Sequence, residues 1–192
     1  MDYQKAAERL SRLLDEFFKD KNKIFEAAAT DCLRSLRAGG KILVFGNGGS
    51  AAEAQHFAAE LVNKFLKTRP ALRAVALSTD TSVLTSIGND SGFDRVFSRQ
   101  VEALAEKGDV ALALSTSGNS PNVINALKAA KKKKLVTIAM TGKGGGKMAR
   151  LPDHLLDVAS FETPRIQEAH LFLLHLLAEE IENKLTFRRG CP

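Results

Sequence analysis

The architecture of this chain can be inferred first from Lys41-Ile-Leu-Val-Phe-Gly-Asn-Gly-Gly-Ser50, where an unbroken apolar run leads into a glycine-rich turn. A short apolar run of this kind predicts a buried strand, and glycines allow a tight turn after it. Ser50 and Glu53 match the Ser-x-x-Glu capping box, so we expect a helix to begin there. The free N–H groups at such a helix start favour an anion, above all a phosphate.

Two residues that can carry protons or bind a metal follow on the same predicted helix. His56 and Glu60 are four positions apart, so they lie on one helix face, close to the anion site. A pair at this spacing is also common on an ordinary helix surface. Beside a phosphate site, the pair predicts anion binding and acid–base or metal chemistry in one pocket.

Length and composition predict one ordinary globular domain. The chain has 192 residues, of which 44% are hydrophobic and 26% charged, and these values argue against disorder. We expect a single domain over 1–192, with N-terminal helices in 1–38 and an α/β core with a C-terminal helix in 39–192. The sequence has no apolar run near 18 residues and no signal-peptide pattern at its start, which predicts a cytoplasmic protein. Cys32 and Cys191 have no metal-type spacing and are expected to be inert reduced thiols.

The chain is basic, with a formal charge of +6 from 28 Lys and Arg against 22 Asp and Glu. Its densest cationic run, Lys131–Lys134, falls where a helix should end, and cations there complement the helix dipole. One Tyr and no Trp argue against the aromatic stacking that nucleic-acid binding commonly uses. We therefore expect no nucleic-acid partner and no membrane, and favour a small anionic ligand.

Short β-rich runs alternate with helical patterns after the first 38 residues. The predicted strands are Lys41–Phe45, Leu72–Leu77, Val110–Leu114, Leu135–Met140 and His154–Val158. This alternation predicts an α/β fold in which helices cover both faces of a parallel sheet.

The N-terminal region contains two helical patterns. One apolar stripe runs along an otherwise charged helix and consists of Tyr3, Ala7, Leu10, Leu14 and Phe17. The steps of four and three between these residues fit one helix face. Because the sheet core looks complete without this stripe, we expect it to pack against a partner subunit.

A second loop repeats the arrangement of the first. The run Ser115-Thr-Ser-Gly-Asn-Ser120 follows a predicted strand, and Ser120-Pro121 has the form of an N-cap followed by proline at the first helical position. Its hydroxyls and backbone donors can surround a phosphate without any lysine. A third loop, Thr141–Lys147, lacks the Walker spacing and is interpreted as a flexible connection.

The last predicted helix begins at Thr163-Pro164 and continues to about Leu185. Its apolar content indicates that it is largely buried. The polar residues Gln167 and His175 therefore need partners.

Four motifs together resemble the SIS (sugar isomerase) domain family over nearly the whole chain. They are Gly46-Asn-Gly-Gly-Ser-Ala-Ala-Glu-Ala-Gln-His56, Ile87-Gly-Asn-Asp90, Ser115-Thr-Ser-Gly-Asn-Ser120 and Thr163-Pro-Arg-Ile-Gln-Glu168. The resemblance implies a five-stranded parallel sheet between helices, and a homotetramer with active sites at subunit contacts. It also implies an aldose–ketose isomerase that converts sedoheptulose 7-phosphate to D-glycero-D-manno-heptose 7-phosphate. The product would enter the heptose of lipopolysaccharide or a related surface polysaccharide.

The same resemblance implies roles for individual residues. Those matching the sugar-phosphate contacts are Asn47, Gly48, Gly49, Ser50, Glu60, Asn89, Asp90, Ser115, Thr116, Ser117, Ser120 and Gln167. Those matching the ligands of one zinc ion per subunit are His56, Glu60, Gln167 and His175. Glu60 and His175 also match the catalytic pair, and whether Glu60 acts as base, as metal ligand or as both is left open. His154 and His170 fall outside these motifs and are interpreted as structural.

Two other functions in the same family are open to this sequence. One is a non-catalytic adaptor that binds the bacterial replication initiator. In that adaptor, the catalytic His and the second Ser of the Ser-Thr-Ser sequence are replaced. This chain keeps both, as His175 and Ser117, which favours the enzyme. The other is a regulator that only senses sugar phosphates, and it would have no use for Glu60 and His175.

Overall fold

The computed structural model describes residues 2–185, so Cys191 lies outside the described residues. The helices are α1 (Tyr3–Arg37), α2 (Gly49–Val62), α3 (Thr81–Ser91), α4 (Val96–Leu104), α5 (Pro121–Lys132) and α6 (Thr163–Lys184). The strands are β1 (Ile42–Gly46), β2 (Ala74–Ala76), β3 (Val110–Ser115), β4 (Val136–Thr141) and β5 (His154–Asp157). Short 3-10 turns cover Phe93–Arg95 and Gly146–Met148.

The five strands form one parallel sheet in the order β2-β1-β3-β4-β5. All five predicted strands are present, and the predicted parallel α/β fold is confirmed. Because every strand points the same way, the loops after β1 and β3 emerge side by side at one edge of the sheet. Ligands of such sheets bind at this carboxyl edge.

The sheet separates two apolar cores. Alternate residues of β1 point to opposite faces, so Ile42 and Val44 pack with α1, α2 and α6 on one side. Leu43 and Phe45 pack with α4 and α5 on the other side. All four side chains are fully buried, which explains why β1 reads as a continuous apolar run.

The N-terminal region is one helix, and the expectation of two is wrong. Helix α1 is 35 residues long and has Asp2 as its N-cap. The polar run 19–23 interrupts the apolar pattern, but it contains neither Gly nor Pro and therefore does not stop the helix.

Helix α1 also belongs to the core, so the expectation that the core is complete without it is wrong. From Leu13 onward it buries apolar side chains, including Phe17 and Phe25, against the face that α6 shares. Only the start of the predicted stripe stays open, since Tyr3 is 79% exposed.

Cys32 is fully buried in α1 and has no disulfide partner among the described residues. Burial raises the pKa of its thiol to about 12. A thiol that is neutral and inaccessible is unreactive. Among residues 2–185, no helix has the length and apolar character needed to cross a membrane.

Candidate active site

The two predicted anion loops lie next to each other at the carboxyl edge of the sheet. Strands β1 and β3 are neighbours, with Gly46 paired to Leu114 at their ends. A Cβ at position 46 would press on the Leu114 carbonyl oxygen and the Ser50 side chain, each 2.8 Å away. Glycine at this position lets the first loop turn closely over the end of β3.

Helix α2 begins two residues earlier than the capping-box pattern predicts. Gly48 is the N-cap, with φ +57°, and Gly49 is the first helical residue. Ser50 is therefore inside the helix, and the expectation that it caps the helix with Glu53 is wrong. The reason is the positive φ of Gly48, which turns the chain into the helix before Ser50 is reached.

Glu53 is a candidate functional residue, although the sequence pattern assigns it only to a helix cap. It lies on the buried face of α2, is 7% exposed, and its Oε2 has no hydrogen-bond partner among the described residues. Burial raises the pKa of this carboxyl to about 7, and the Ser50 hydroxyl limits the rise because it can donate to the charged form. An acid that titrates near neutral pH therefore lies under the first anion loop.

An amide pair connects the two loops. Asn47 donates from Nδ2 to Asn122 Oδ1 at 2.9 Å, and Asn122 donates back to Asn47 Oδ1 at 2.8 Å. Asn122 is buried in the first turn of α5 and also accepts the backbone N–H of Val123 at 2.9 Å. The sequence motif contains Asn47 but gave no signal for Asn122, because the two residues are 75 positions apart.

The second loop has the predicted helix start. Ser120 is the N-cap of α5, with Pro121 at its first position, and the Ser120 and Ser115 hydroxyl oxygens are 3.1 Å apart. The Ser117 hydroxyl is exposed at the loop tip and accepts the Asn119 N–H at 3.2 Å. Free hydroxyl and backbone donors of this kind suit a phosphate.

The third glycine-rich loop packs against the second, so its interpretation as a flexible connection is wrong. Two backbone N–H groups donate to the second loop: that of Gly142 in the third loop to the Thr116 carbonyl, and that of Met148 just after it to the Gly118 carbonyl, both at 3.0 Å. Gly118 has φ +63°, and a Cβ there would overlap the backbone of Gly145. Glycine on both sides allows this close approach, and the third loop supports the second from behind.

Three reactive side chains meet between α2 and α6. The Nε2 atoms of His56 and His175 are 2.8 Å apart, and Glu60 Oε1 is 3.3 Å from His56 Nε2. The His56 side chain is 44% exposed and the Glu60 side chain 23% exposed, so a solute can reach both. In this hydrogen bond one Nε2 carries a hydrogen and donates it, and the other Nε2 carries none and accepts it.

The donor types of this trio fit zinc, since two imidazoles and a carboxylate are common zinc ligands. Zinc bonds of about 2.0–2.1 Å in tetrahedral geometry hold ligand nitrogens about 3.3 Å apart. The histidine nitrogens are closer than that because they are hydrogen-bonded. Within residues 2–185, no three His, Cys, Asp or Glu side chains are already spaced as ligands of one ion. Binding would therefore require the two rings to separate by about half an ångström.

Gln167 is on α6, and its side-chain amide lies against the start of α2. A Cβ on Gly49 would overlap the Gln167 amide, so this amide covers the first helical residue beside the phosphate loop. Gly49 precedes His56 by two helical turns, or about 10 Å along the axis. This position suits contact with the sugar phosphate, and the role of Gln167 as a metal ligand stays a prediction.

The remaining predicted site residues lie on α3. Asn89 donates to Asp90 Oδ1 at 2.8 Å, and both are exposed. No hydrogen bond in the described part of the chain joins them to another predicted site residue. Their helix has no buried residue at all.

The two other histidines serve the fold. His154 Nε2 lies 2.7 Å from Asp31 Oδ2 and connects β5 to α1. His170 is fully buried with Nε2 3.2 Å from the Thr141 carbonyl oxygen, and burial lowers its pKa to about 4. Both lie outside the trio, as the motifs imply.

Known proteins of similar sequence and structure agree on one family. The SIS domain model matches residues 4–142. A phosphoheptose isomerase of Desulfovibrio desulfuricans is 54% identical over 169 residues, covering 88% of this chain and 80% of that protein. The solved phosphoheptose isomerase GmhA from Neisseria gonorrhoeae has a TM-score of 0.87 at 48% identity, covering 94% of this chain and 98% of its own. A phosphoheptose isomerase structure from Francisella tularensis has a TM-score of 0.87 at 34% identity, covering 95% of this chain and 97% of its own.

Proposed function

The chain belongs to the SIS domain family, and from that premise we propose that it is a phosphoheptose isomerase. It converts the ketose sedoheptulose 7-phosphate to the aldose D-glycero-D-manno-heptose 7-phosphate. The observation that carries this proposal is the convergence of His56, Glu60 and His175 beside two phosphate-type loops. The relatives named phosphoheptose isomerase, with identities of 54% and 48%, favour this enzyme over an adaptor or a regulator.

The phosphate end of the substrate binds at the two loops. The start of α2 supplies backbone N–H groups, and Ser115, Ser117 and Ser120 supply hydroxyls. The Asn47–Asn122 pair keeps the two loops at a fixed separation. Because phosphate is doubly charged near neutral pH, the charge of +6 on the chain also favours its approach.

The reacting carbons lie at the trio. Isomerisation removes a proton from C1 of the ketose, and the C1–C2 double bond forms as O2 takes up a proton. The enediol then loses the O1 proton and gains one at C2, which gives the aldose. Glu60 and His175 are the base and the proton carrier of these transfers. His175 must first release its hydrogen bond to His56 to act on the substrate.

We propose one zinc ion per subunit, held by His56, Glu60 and His175, with Gln167 as the predicted fourth ligand. The ion would supply Lewis-acid polarisation of the substrate carbonyl. Replacement of His56 by alanine, which removes one imidazole ligand, is expected to lower zinc content measured by elemental analysis. Equal zinc content in the variant and the parent protein would contradict this ligand set.

We also propose that the active unit is a cytoplasmic homotetramer with sites at subunit contacts. Three features of the single chain support assembly. Helix α3 buries no residue although it carries Asn89 and Asp90. The apolar side chains of Tyr3 and Phe172 are 79% and 41% exposed.

The decisive experiment is an assay of the purified chain with sedoheptulose 7-phosphate in deuterated water, with and without a chelator. We expect the aldose to form and solvent deuterium to enter the sugar next to the carbonyl. A chelator is expected to suppress both signals if zinc takes part. Absence of product and of deuterium uptake in the zinc-loaded protein would refute the isomerase.

A further inference from the structure

Phe65 lies against one face of the proposed catalytic imidazole. Its ring is stacked on His175, with centroids 5.6 Å apart and an angle of 26° between the planes. The other neighbour of that imidazole is His56, at 5.0 Å and 62°. Two aromatic contacts thus fix the orientation of His175. Phe65 itself belongs to no helix or strand, so something else must hold it.

A single carboxylate holds the Phe65 segment. Glu182 Oε1 accepts the backbone N–H of Phe65 at 3.1 Å, and Oε2 accepts those of Leu66 and Lys67 at 2.7 Å each. Glu182 is on α6 two turns after His175, so it faces the same side of the helix. Burial by itself would raise the pKa of Glu182, but these hydrogen bonds and one from Arg69 hold it below its ordinary value. The carboxylate stays charged, and each of its two oxygens accepts two hydrogen bonds.

Arg69 extends this contact to the other member of the proposed catalytic pair. Its Nε donates to Glu182 Oε1 at 3.0 Å, and both side chains are 2% exposed. Its two terminal nitrogens donate to the carbonyls of Leu61 at 2.8 Å and Glu60 at 2.6 Å. These carbonyls are in the last turn of α2, where helix carbonyls lack partners within the helix. The guanidinium therefore ties the helix end that carries Glu60 to α6.

We propose that Glu182, Arg69 and Phe65 are positioning residues for the isomerisation: Glu182 fixes the segment, Phe65 orients His175, and Arg69 anchors the end of α2 beneath Glu60. This inference rests on the proposed function for its kinetic consequence. None of the three needs to touch the substrate. A buried ion pair is expensive to desolvate and by itself weak support for stability, whereas it is well suited to holding one geometry.

The kinetic test uses Phe65→Leu, Phe65→Tyr, Glu182→Gln and the double variant Phe65→Leu/Glu182→Gln. Misplacement of a reacting group by about 1 Å costs on the order of 10²-fold in rate. We therefore expect Phe65→Leu and Glu182→Gln each to lower kcat by about 10- to 100-fold with little change in KM. Phe65→Tyr keeps the ring and should retain the parent kcat. Since Glu182 acts partly through Phe65 and partly through Arg69, the double variant should lose less than the product of the two single losses. A loss equal to that product would contradict the route through Phe65.

Asp109→Asn is the matched control. Asp109 is also a buried carboxylate that accepts two backbone N–H groups, from Lys41 at 2.9 Å and Glu106 at 2.8 Å, and pairs with a cation. It lies at the amino edge of the sheet, before β3. Its variant should lose thermal stability while keeping the parent kcat. Equal falls in kcat for Asp109→Asn and Glu182→Gln would overturn the positioning role.

A second measurement is independent of enzyme activity. Ring stacking shifts the His175 ring-proton resonances, which can be identified by their absence in His175→Gln. In zinc-free protein, we expect Phe65→Leu and Glu182→Gln to move these resonances in the same direction. Unchanged His175 resonances in folded Glu182→Gln would overturn the inference even if the isomerase is confirmed. An inactive parent protein that shows the shifts would overturn the proposed function and retain the positioning of His175.

Discussion

Glu60 and His175 are the residues on which the proposed chemistry depends most. Removal of a positioned acid or base costs about 10²- to 10⁴-fold in rate. We expect Glu60→Gln and His175→Gln, which nearly keep shape, to be folded and to lose activity on this scale. His154→Gln, a change outside the trio, is the control and should stay near the parent rate.

The measurement for these variants is product formation together with solvent deuterium uptake into the sugar. Both signals should fall together in Glu60→Gln and in His175→Gln, because both depend on removal of the carbon-bound proton. Exchange at the parent rate in either variant would assign the proton transfer to another residue.

Glu53 predicts a pH dependence of stability. Its pKa in the folded protein, about 7, is above the ordinary 4.5. The folded state therefore holds an extra proton between these values, and the stability that this contributes is complete below pH 4.5 and lost as pH rises through 7. We expect Glu53→Gln to raise Tm relative to the parent more at pH 8 than at pH 5.

Thermal unfolding of parent and variant at these two pH values tests the Glu53 prediction. His170, whose pKa is lowered to about 4, destabilises the fold as pH falls, but it does so in both proteins and cancels in the comparison. The exposed carboxyl change Glu8→Gln serves as control and should shift Tm equally at both pH values. An equal shift for Glu53→Gln would show that its carboxyl is not neutral at pH 5 and charged at pH 8 as expected.

At the level of elements, the two anion loops are coupled by the Asn47–Asn122 pair. Asn122→Ala leaves the half-buried Asn47 amide without its protein partner, and the loss of a neutral hydrogen bond costs about 0.5–1.5 kcal/mol. We expect lower stability by that amount and a raised KM for the sugar phosphate, with a smaller effect on kcat. Steady-state kinetics and denaturant unfolding measure these quantities.

Asn125→Ala is the control for the loop coupling, because its amide is on the same helix and donates to the Asp94 carbonyl at 3.0 Å, outside the site. It should leave KM at the parent value. If Asn122→Ala also has the parent KM, the amide pair does not set the loop geometry that binds substrate.

The sequence predicts those elements that have a local pattern of apolar and polar residues. The strands can be predicted because a buried parallel strand is a short apolar run that ends at glycine or at polar residues. In β1, for example, the apolar run ends at Phe45 and Gly46 follows it. The sequence predicts two helices where α1 is continuous, because the charged residues in its middle interrupt the apolar pattern but not the helical backbone. The motifs predict His56, Glu60 and His175, which the structure brings together, but they contain no signal for Asn122 or Phe65. Contacts between residues that are far apart in sequence leave no local pattern.

The whole molecule exposes apolar side chains that assembly would cover. Phe172 on α6 is 41% exposed and lies 6.5 Å from Phe18 of α1 between ring centroids. We expect the parent protein to be a tetramer by light scattering at micromolar concentration. Phe172→Glu should shift the mass toward smaller species, because a charge buried at an interface is costly.

Lys107→Glu, an exposed change at the amino edge of the sheet, is the control for assembly and should leave the mass unchanged. A monomeric parent protein would contradict the tetramer. It would also require α3, with Asn89 and Asp90, to form its part of the site without a neighbouring subunit.

The meeting of His56 with His175 has a consequence for biosynthesis. The two residues are 119 positions apart in sequence, and at about 5–20 residues per second a ribosome needs roughly 6–24 s to synthesise that length. Helix α6 also packs on α1 and α2. The apolar faces of α1 and α2 that it covers therefore stay uncovered until α6 has been synthesised. A nascent chain is therefore expected to recruit chaperones most strongly just before α6 emerges, and to gain its reactive centre only when that helix docks.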